Sequence, residues 1–129
     1  MMNNKLFVYG TLLDDDNKYG IYLRDNSKFF ASANLEGILY DIGEYPGAIL
    51  RPGGADSIHG IILEMDDPST ILALLDMYEG FGEDQPQPNE FIRVLTEANT
   101  DKGPVNCWLY TYNLPAEGLL PIENGKYIK

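Results

Sequence analysis

Leu6-Phe7-Val8-Tyr9-Gly10-Thr11-Leu12 begins as a near-continuous apolar run and breaks at a glycine. Such a run fits a strand covered on both faces, which requires packed structure on either side of it. The glycine fits a turn that lays bare backbone N–H groups, able to hold an anion or a polarised carbonyl. A chemical role then needs an acid facing that turn. The best-placed candidate is Glu79, in Leu74-Leu75-Asp76-Met77-Tyr78-Glu79-Gly80.

Glu79 stands near the end of the clearest helix, Asp67 to Gly80. Asp67 suits the capping position, Pro68 the first helical position, and Gly80 the left-handed stop. Ile71, Leu74, Leu75 and Tyr78 recur at helical spacing and are expected to face the core. Glu79 follows Leu75 by one helical turn and so projects from the margin of that face. It also sits where the negative end of the helix dipole disfavours a carboxylate. Partial burial and the dipole both favour the neutral acid and move its pKa toward the working range. The competing interpretation is an exposed helix-end acid with no task. A weaker helix is expected over 13–23.

Strands are expected at Lys5–Tyr9, Ala33–Tyr40, Ile58–Glu64, Phe91–Thr96 and Val105–Tyr112, each bounded by Gly, Pro, Asn or Asp. With 129 residues, these elements make one domain, 1–129, without internal repeats. Two segments are expected as loops. Ile42 to Gly47 is turn-rich, and Phe81 to Glu90 is a polar, proline-containing excursion that starts beside Glu79. The second is either a lid or specificity loop or a plain surface insertion.

Net charge removes several function classes. Twenty acidic residues against nine basic ones leave −11, a field that repels phosphate backbones and anionic lipid. Neither nucleic acid nor a membrane is expected as partner; a small neutral, zwitterionic or cationic ligand is easier to hold. No apolar run suits a secretory signal or a membrane span, so a cytoplasmic protein is expected. The lone Cys107 excludes an internal disulfide.

Several catalytic designs are also missing. The single His59 lacks partner ligands at metal spacing, and Asp14-Asp15-Asp16-Asn17-Lys18-Tyr19 has Tyr19 where a calcium loop needs glycine. That acidic stretch is expected to be a solvated loop. No phosphate-binding Gly-Lys-Ser/Thr and no G-x-S-x-G elbow occurs. Cys107, in a strand beside Trp108, is expected as a small core residue. Their absence gives weight to a carboxylate mechanism.

Phe7-Val8-Tyr9-Gly10-Thr11-Leu12, Gly37-Ile38-Leu39-Tyr40-Asp41-Ile42-Gly43, Tyr45-Pro46-Gly47, His59 to Glu64, Leu74 to Gly80, Phe91-Ile92-Arg93 and Trp108-Leu109-Tyr110 occur in that order. Together they resemble the gamma-glutamylcyclotransferase-like family, particularly its gamma-glutamylamine cyclotransferase branch. The resemblance implies an α+β fold: a small mixed β-barrel of about five to seven strands with flanking helices. It implies a substrate with a γ-glutamyl group, whose α-amino group attacks the γ-carbonyl to release 5-oxoproline and a free amine. Glu79 would be the catalytic acid and base. Tyr9, Gly10, Thr11 and Leu12 would bind the glutamyl group through backbone N–H groups, and no metal or cofactor would be required. Two features depart from the family pattern: Phe91 stands where the family often has Tyr, and the proline-containing loop before it has no counterpart. Tyr110, Tyr112 and Tyr127 are not assigned to the site, and Arg93 is expected to face solvent. The alternative function is a non-catalytic module that senses a glutamyl or 5-oxoproline-like ligand.

Overall fold

The first strand, β1 (Lys5–Val8), divides its side chains between two cores. Phe7 and the following Tyr9 pack with Leu35, Ile62 and Leu109, whereas Leu6 and Val8 pack with Leu72, Leu75 and Phe91. This double burial explains why the segment lacks polar alternation. The computed structural model describes residues 2–10, 17–43, 45–122 and 125.

The first core fills a barrel and the second joins that barrel to two helices. After α1 (Lys18–Asp25) come β2 (Ser27–Asp41), β3 (Pro46–Leu50), β4 (Ser57–Met65), α2 (Pro68–Glu79), β5 (Phe91–Thr100), β6 (Gly103–Tyr112) and β7 (Leu120–Pro121). Neighbours run β2-β4-β1-β6-β5, and the ring closes where β5 returns to β2 at Ala33↔Thr100 and Asn34↔Asn99. β1 pairs β6 in parallel at Leu6↔Trp108, while the other ring pairings are antiparallel. β3 and β7 extend β2 beyond the closed five-strand barrel. The expected mixed barrel of five to seven strands with flanking helices is therefore the observed architecture.

β2 starts at Ser27, six residues before the expected Ala33, because its first half lies on β4 with a register shift between Phe29 and Ala31. The outward side chains there, including Phe29, are exposed, which masks the strand pattern. The expected loop at Ile42–Gly47 gives way to β3 from Pro46 onward. Pro46 opens a strand that pairs with β2 alone, a position where a missing N–H is tolerated.

Both ends of α2 form as their residues dictate. The Thr70 backbone N–H donates to Asp67 Oδ1 at 3.4 Å and its hydroxyl to Oδ2 at 2.8 Å. Gly80 adopts φ +74°, and the Gly80 and Phe81 N–H groups donate to the Met77 and Asp76 carbonyls. The buried stripe is rotated from the expected one: Ile71, Leu72 and Leu75 are buried, whereas Leu74 and Tyr78 are only half-buried. Tyr78 instead meets α1, with its ring 4.4 Å from Tyr19 and its hydroxyl accepting from Asn17 Nδ2 at 2.7 Å.

α1 runs from Lys18, capped by Asn17, to Asp25, two residues past the end of the helix expected over 13–23, whose first residues 13–16 lie outside the described residues. Asp14, Asp15 and Asp16 lie outside the described residues. Among the described residues, no helix is long and apolar enough to cross a membrane.

Candidate active site

Five chain segments meet around a cavity of about 160 Å³: the end of β1, the turn into β3, the end of α2, the start of β5 and Tyr110 of β6. Its walls include Tyr9, Gly10, Pro46, Glu79, Glu90 and Phe91. Drug-sized ligand pockets run ~300–1,000 Å³, so this space suits an amino-acid-sized group with the rest of a ligand extending outward.

Gly10 brings backbone against the Pro46 ring. A Cβ at Gly10 would lie 2.8 Å from Pro46 Cγ and 3.1 Å from its Cδ. Gly10→Ala is expected to move one wall of the cavity and to cost about 1–3 kcal/mol, the usual scale of overpacking. Urea denaturation checks the loss, and an unchanged midpoint would remove this close approach as the reason for glycine. Thr11 and Leu12 lie outside the described residues, so Tyr9 and Gly10 are the described part of the expected binding turn.

The Tyr9 phenol has a structural task. Its hydroxyl donates to the Tyr110 carbonyl at 2.6 Å and accepts from the Ala48 N–H at 3.3 Å, tying β1 to β6 and β3. Burial, then the nearby Glu79 charge, push this phenol far above its ordinary pKa, so it remains a neutral donor. Tyr9 thus borders the cavity while its hydroxyl is occupied within the fold.

Glu79, the last residue of α2, also borders the cavity. Its pKa is raised from 4.5 to about 7, first by burial and then by the charge of Glu90. The expected direction holds, but a second carboxylate rather than the helix dipole is the further cause. An acid of that pKa exchanges protons near neutrality, which suits general acid–base work. Among the described residues, no group of three His, Cys, Asp or Glu side chains could hold a metal ion.

Glu90 was hidden in the sequence by its polar surroundings. It closes the segment Phe81 to Glu90, which is folded on itself around buried Asn89. Asn89 Oδ1 accepts from the Gly82 N–H at 3.1 Å, and its Nδ2 donates to the Gly82 and Pro86 carbonyls, each at 3.1 Å. The Asn113 N–H donates to the Glu90 carbonyl at 2.7 Å. These bonds pin the end of the loop beside β6. Glu90 Oε1 accepts from the Tyr45 hydroxyl at 2.7 Å across the cavity wall.

Arg93 does not face solvent. Its Nε and Nη2 donate to Asp76 Oδ1 and Oδ2 at 2.8 and 3.1 Å, and its guanidinium lies 4.6 Å from the Trp108 ring centre. The Tyr110 hydroxyl donates to the same Asp76 at 2.6 Å, and Tyr110 lines the cavity. Asp76 thereby fixes the β5–β6 wall against α2. Strand alternation alone could not reveal this, because the partner carboxylate comes from a helix 17 residues earlier.

The remaining reactive side chains stand apart. Cys107 is buried in the barrel interior, where burial raises its thiol to about 12. His59 is exposed on β4. Phe91 packs its ring 5.8 Å from Tyr45 and 5.6 Å from Tyr112, making an apolar wall without a hydroxyl. Tyr127 lies outside the described residues.

This barrel has counterparts among known proteins. Residues 6–129 match the model of the family described as gamma-glutamyl cyclotransferase, AIG2-like. The chain belongs to that family. It is 33% identical to the gamma-glutamylcyclotransferase family protein YtfP of Escherichia coli K12, over 96% of each chain. The solution structure of the E. coli protein ytfP superposes with a TM-score of 0.67 at 29% identity, again over 96% of each chain. An AIG2-like protein from Mus musculus gives a TM-score of 0.75 at 22% identity, with 97% of this chain and 88% of that one covered. The Bacillus subtilis protein YkqA gives 0.70 at 24% identity; 98% of this chain covers 40% of YkqA. At these low identities the mouse and Bacillus structures speak for the fold, an AIG2-like barrel.

Proposed function

We propose that the protein is a gamma-glutamylcyclotransferase that acts on a γ-glutamyl amine or related small γ-glutamyl compound. The observation that carries this is Glu79 bordering an amino-acid-sized cavity together with Tyr9 and Gly10, its pKa raised to about 7. Family membership supplies the reaction class, and the cavity supplies a site for it.

In this mechanism Glu79 takes a proton from the substrate α-ammonium. The freed amine attacks the γ-carbonyl carbon and closes a five-membered ring. Backbone N–H groups of the turn beginning at Tyr9 and Gly10 hold the glutamyl group and steady the oxyanion. Collapse breaks the bond to the amine nitrogen as Glu79 returns its proton there. The second proton of the α-nitrogen passes to solvent, and the amine product takes up its own. The products are 5-oxoproline and a free amine; no redox change occurs.

The test incubates the protein with γ-glutamyl amines and short γ-glutamyl peptides and measures 5-oxoproline release. Release by the protein beyond that in a buffer blank is the expected result. Binding of 5-oxoproline without turnover of any compound would instead favour the ligand-sensing module.

A further inference from the structure

Glu90 is the feature of the cavity that the proposed reaction leaves unused. Its Oε1 accepts from Tyr45, and its Oε2 has no hydrogen-bond partner among the described residues. Nor does any Lys, Arg or His belong to the cavity lining among the described residues. Arg93, the cation farther along β5, is committed to Asp76. Two carboxylates, Glu79 and Glu90, therefore share a space of about 160 Å³ in which no described lining residue supplies a cation to balance them. Tyr45, a neutral donor, fixes Glu90 without cancelling its charge.

That arrangement calls for a positive charge from the ligand, and the reaction decides where on the ligand it lies. The α-nitrogen must become neutral to attack. A carboxylate that held it as ammonium would stabilise the ground state and raise the barrier. A positive charge elsewhere on the departing amine persists throughout the reaction, so pairing with it carries no such penalty. The small cavity leaves room for the glutamyl group while the amine portion extends outward. The net charge of −11 draws cations toward the protein as a whole.

We infer that Glu90, held by Tyr45, forms a cation subsite selecting γ-glutamyl compounds whose departing amine carries a second positive charge. The inference deepens the cyclotransferase reading and rests on it for the reaction. Glu90 is thus assigned to specificity and Tyr45 to its positioning.

The test compares γ-glutamyl-n-pentylamine with its γ-glutamyl-1,4-diaminobutane counterpart, in which an ammonium replaces the terminal methyl. Assays at about pH 8, above the Glu79 pKa of about 7, keep Glu79 largely ionised. The native protein is expected to favour the cationic compound in kcat/KM by roughly tenfold, the scale of one partly buried charge pair. Glu90→Gln should bring the ratio near one, chiefly by raising KM for the cationic compound. Tyr45→Phe should reduce it partway, and added salt should reduce it in the native protein. An equal ratio in native protein and Glu90→Gln, or equal losses on both compounds, would overturn the inference.

A calorimetric titration with 1,4-diaminobutane and its neutral counterpart 1,4-butanediol separates this inference from the reaction itself. If neither γ-glutamyl compound is turned over, the cyclotransferase reading fails for them, but the cation subsite is still decided. Preference for the diamine that disappears in folded Glu90→Gln supports the subsite. Equal binding of the diamine and the diol, or no binding of either, sinks it.

Discussion

Glu79→Gln is expected to lower 5-oxoproline release by ~10²–10⁴-fold, the usual contribution of a positioned acid–base group. The same change should make the protein more stable at pH 8, because native Glu79 is ionised there in surroundings that favour its neutral form. Its pKa is about 7 when folded against 4.5 as the ordinary value. Between those limits the folded state holds a proton that the unfolded state has released, so stability falls as pH rises from about 4.5 to about 7. Glutamine mimics the neutral acid and escapes that loss. The gain at pH 8 should be on the order of 2 kcal/mol, below the full linkage value because Glu79 keeps some solvent access.

Urea unfolding at pH 8 and near pH 4.5 measures that difference, which should shrink at the lower pH. In the native protein, kcat/KM should rise with pH and bend near 7 as Glu79 becomes able to accept a proton. A Gln variant that is folded and fully active would remove Glu79 from the mechanism. A stability difference that grew toward low pH would show the burial argument to have the wrong sign.

Asp76→Asn should have the largest structural effect. It leaves the Arg93 guanidinium without its carboxylate and weakens the acceptor for the Tyr110 hydroxyl. The Arg93 and Asp76 side chains are only 16% and 19% exposed, so water compensates poorly. Breaking a buried pair typically costs about 3–5 kcal/mol; residual exposure places this one nearer 3. Thermal unfolding should fall on the order of 10 °C. The wall bearing Tyr110 should also loosen, lowering turnover.

Arg93→Met in the Asp76→Leu background should recover part of the stability, because the double variant buries neither charge. A cycle in which the two single losses simply add would show that the pair is not coupled. Activity measured on the recovered double variant separates wall geometry from global stability.

The segments resolved locally were legible in the chain itself. β1 could be read because apolar side chains occupy both of its faces, and α2 because Asp67, Pro68 and Gly80 act within a turn of their own backbone. Glu79 followed from its place at the end of that helix. β3 was missed because Pro46 and Gly47 also fit a turn, and only the edge position beside β2 permits them as strand.

The composition of the site depends on contacts between remote segments. Ring closure between β2 and β5, and the parallel meeting of β1 with β6, bring the barrel walls together. Glu90 reaches Tyr45 across 45 residues, and the Tyr9 hydroxyl reaches the Tyr110 carbonyl across 101. Periodicity reports which face of an element is buried but not what stands opposite that face. The sequence by itself therefore determined the principal strands, the capped helix and the acid at its end. Only the tertiary structure decided that Glu79 shares its cavity with Glu90 and that Arg93 turns inward to Asp76, because both depend on how the barrel closes.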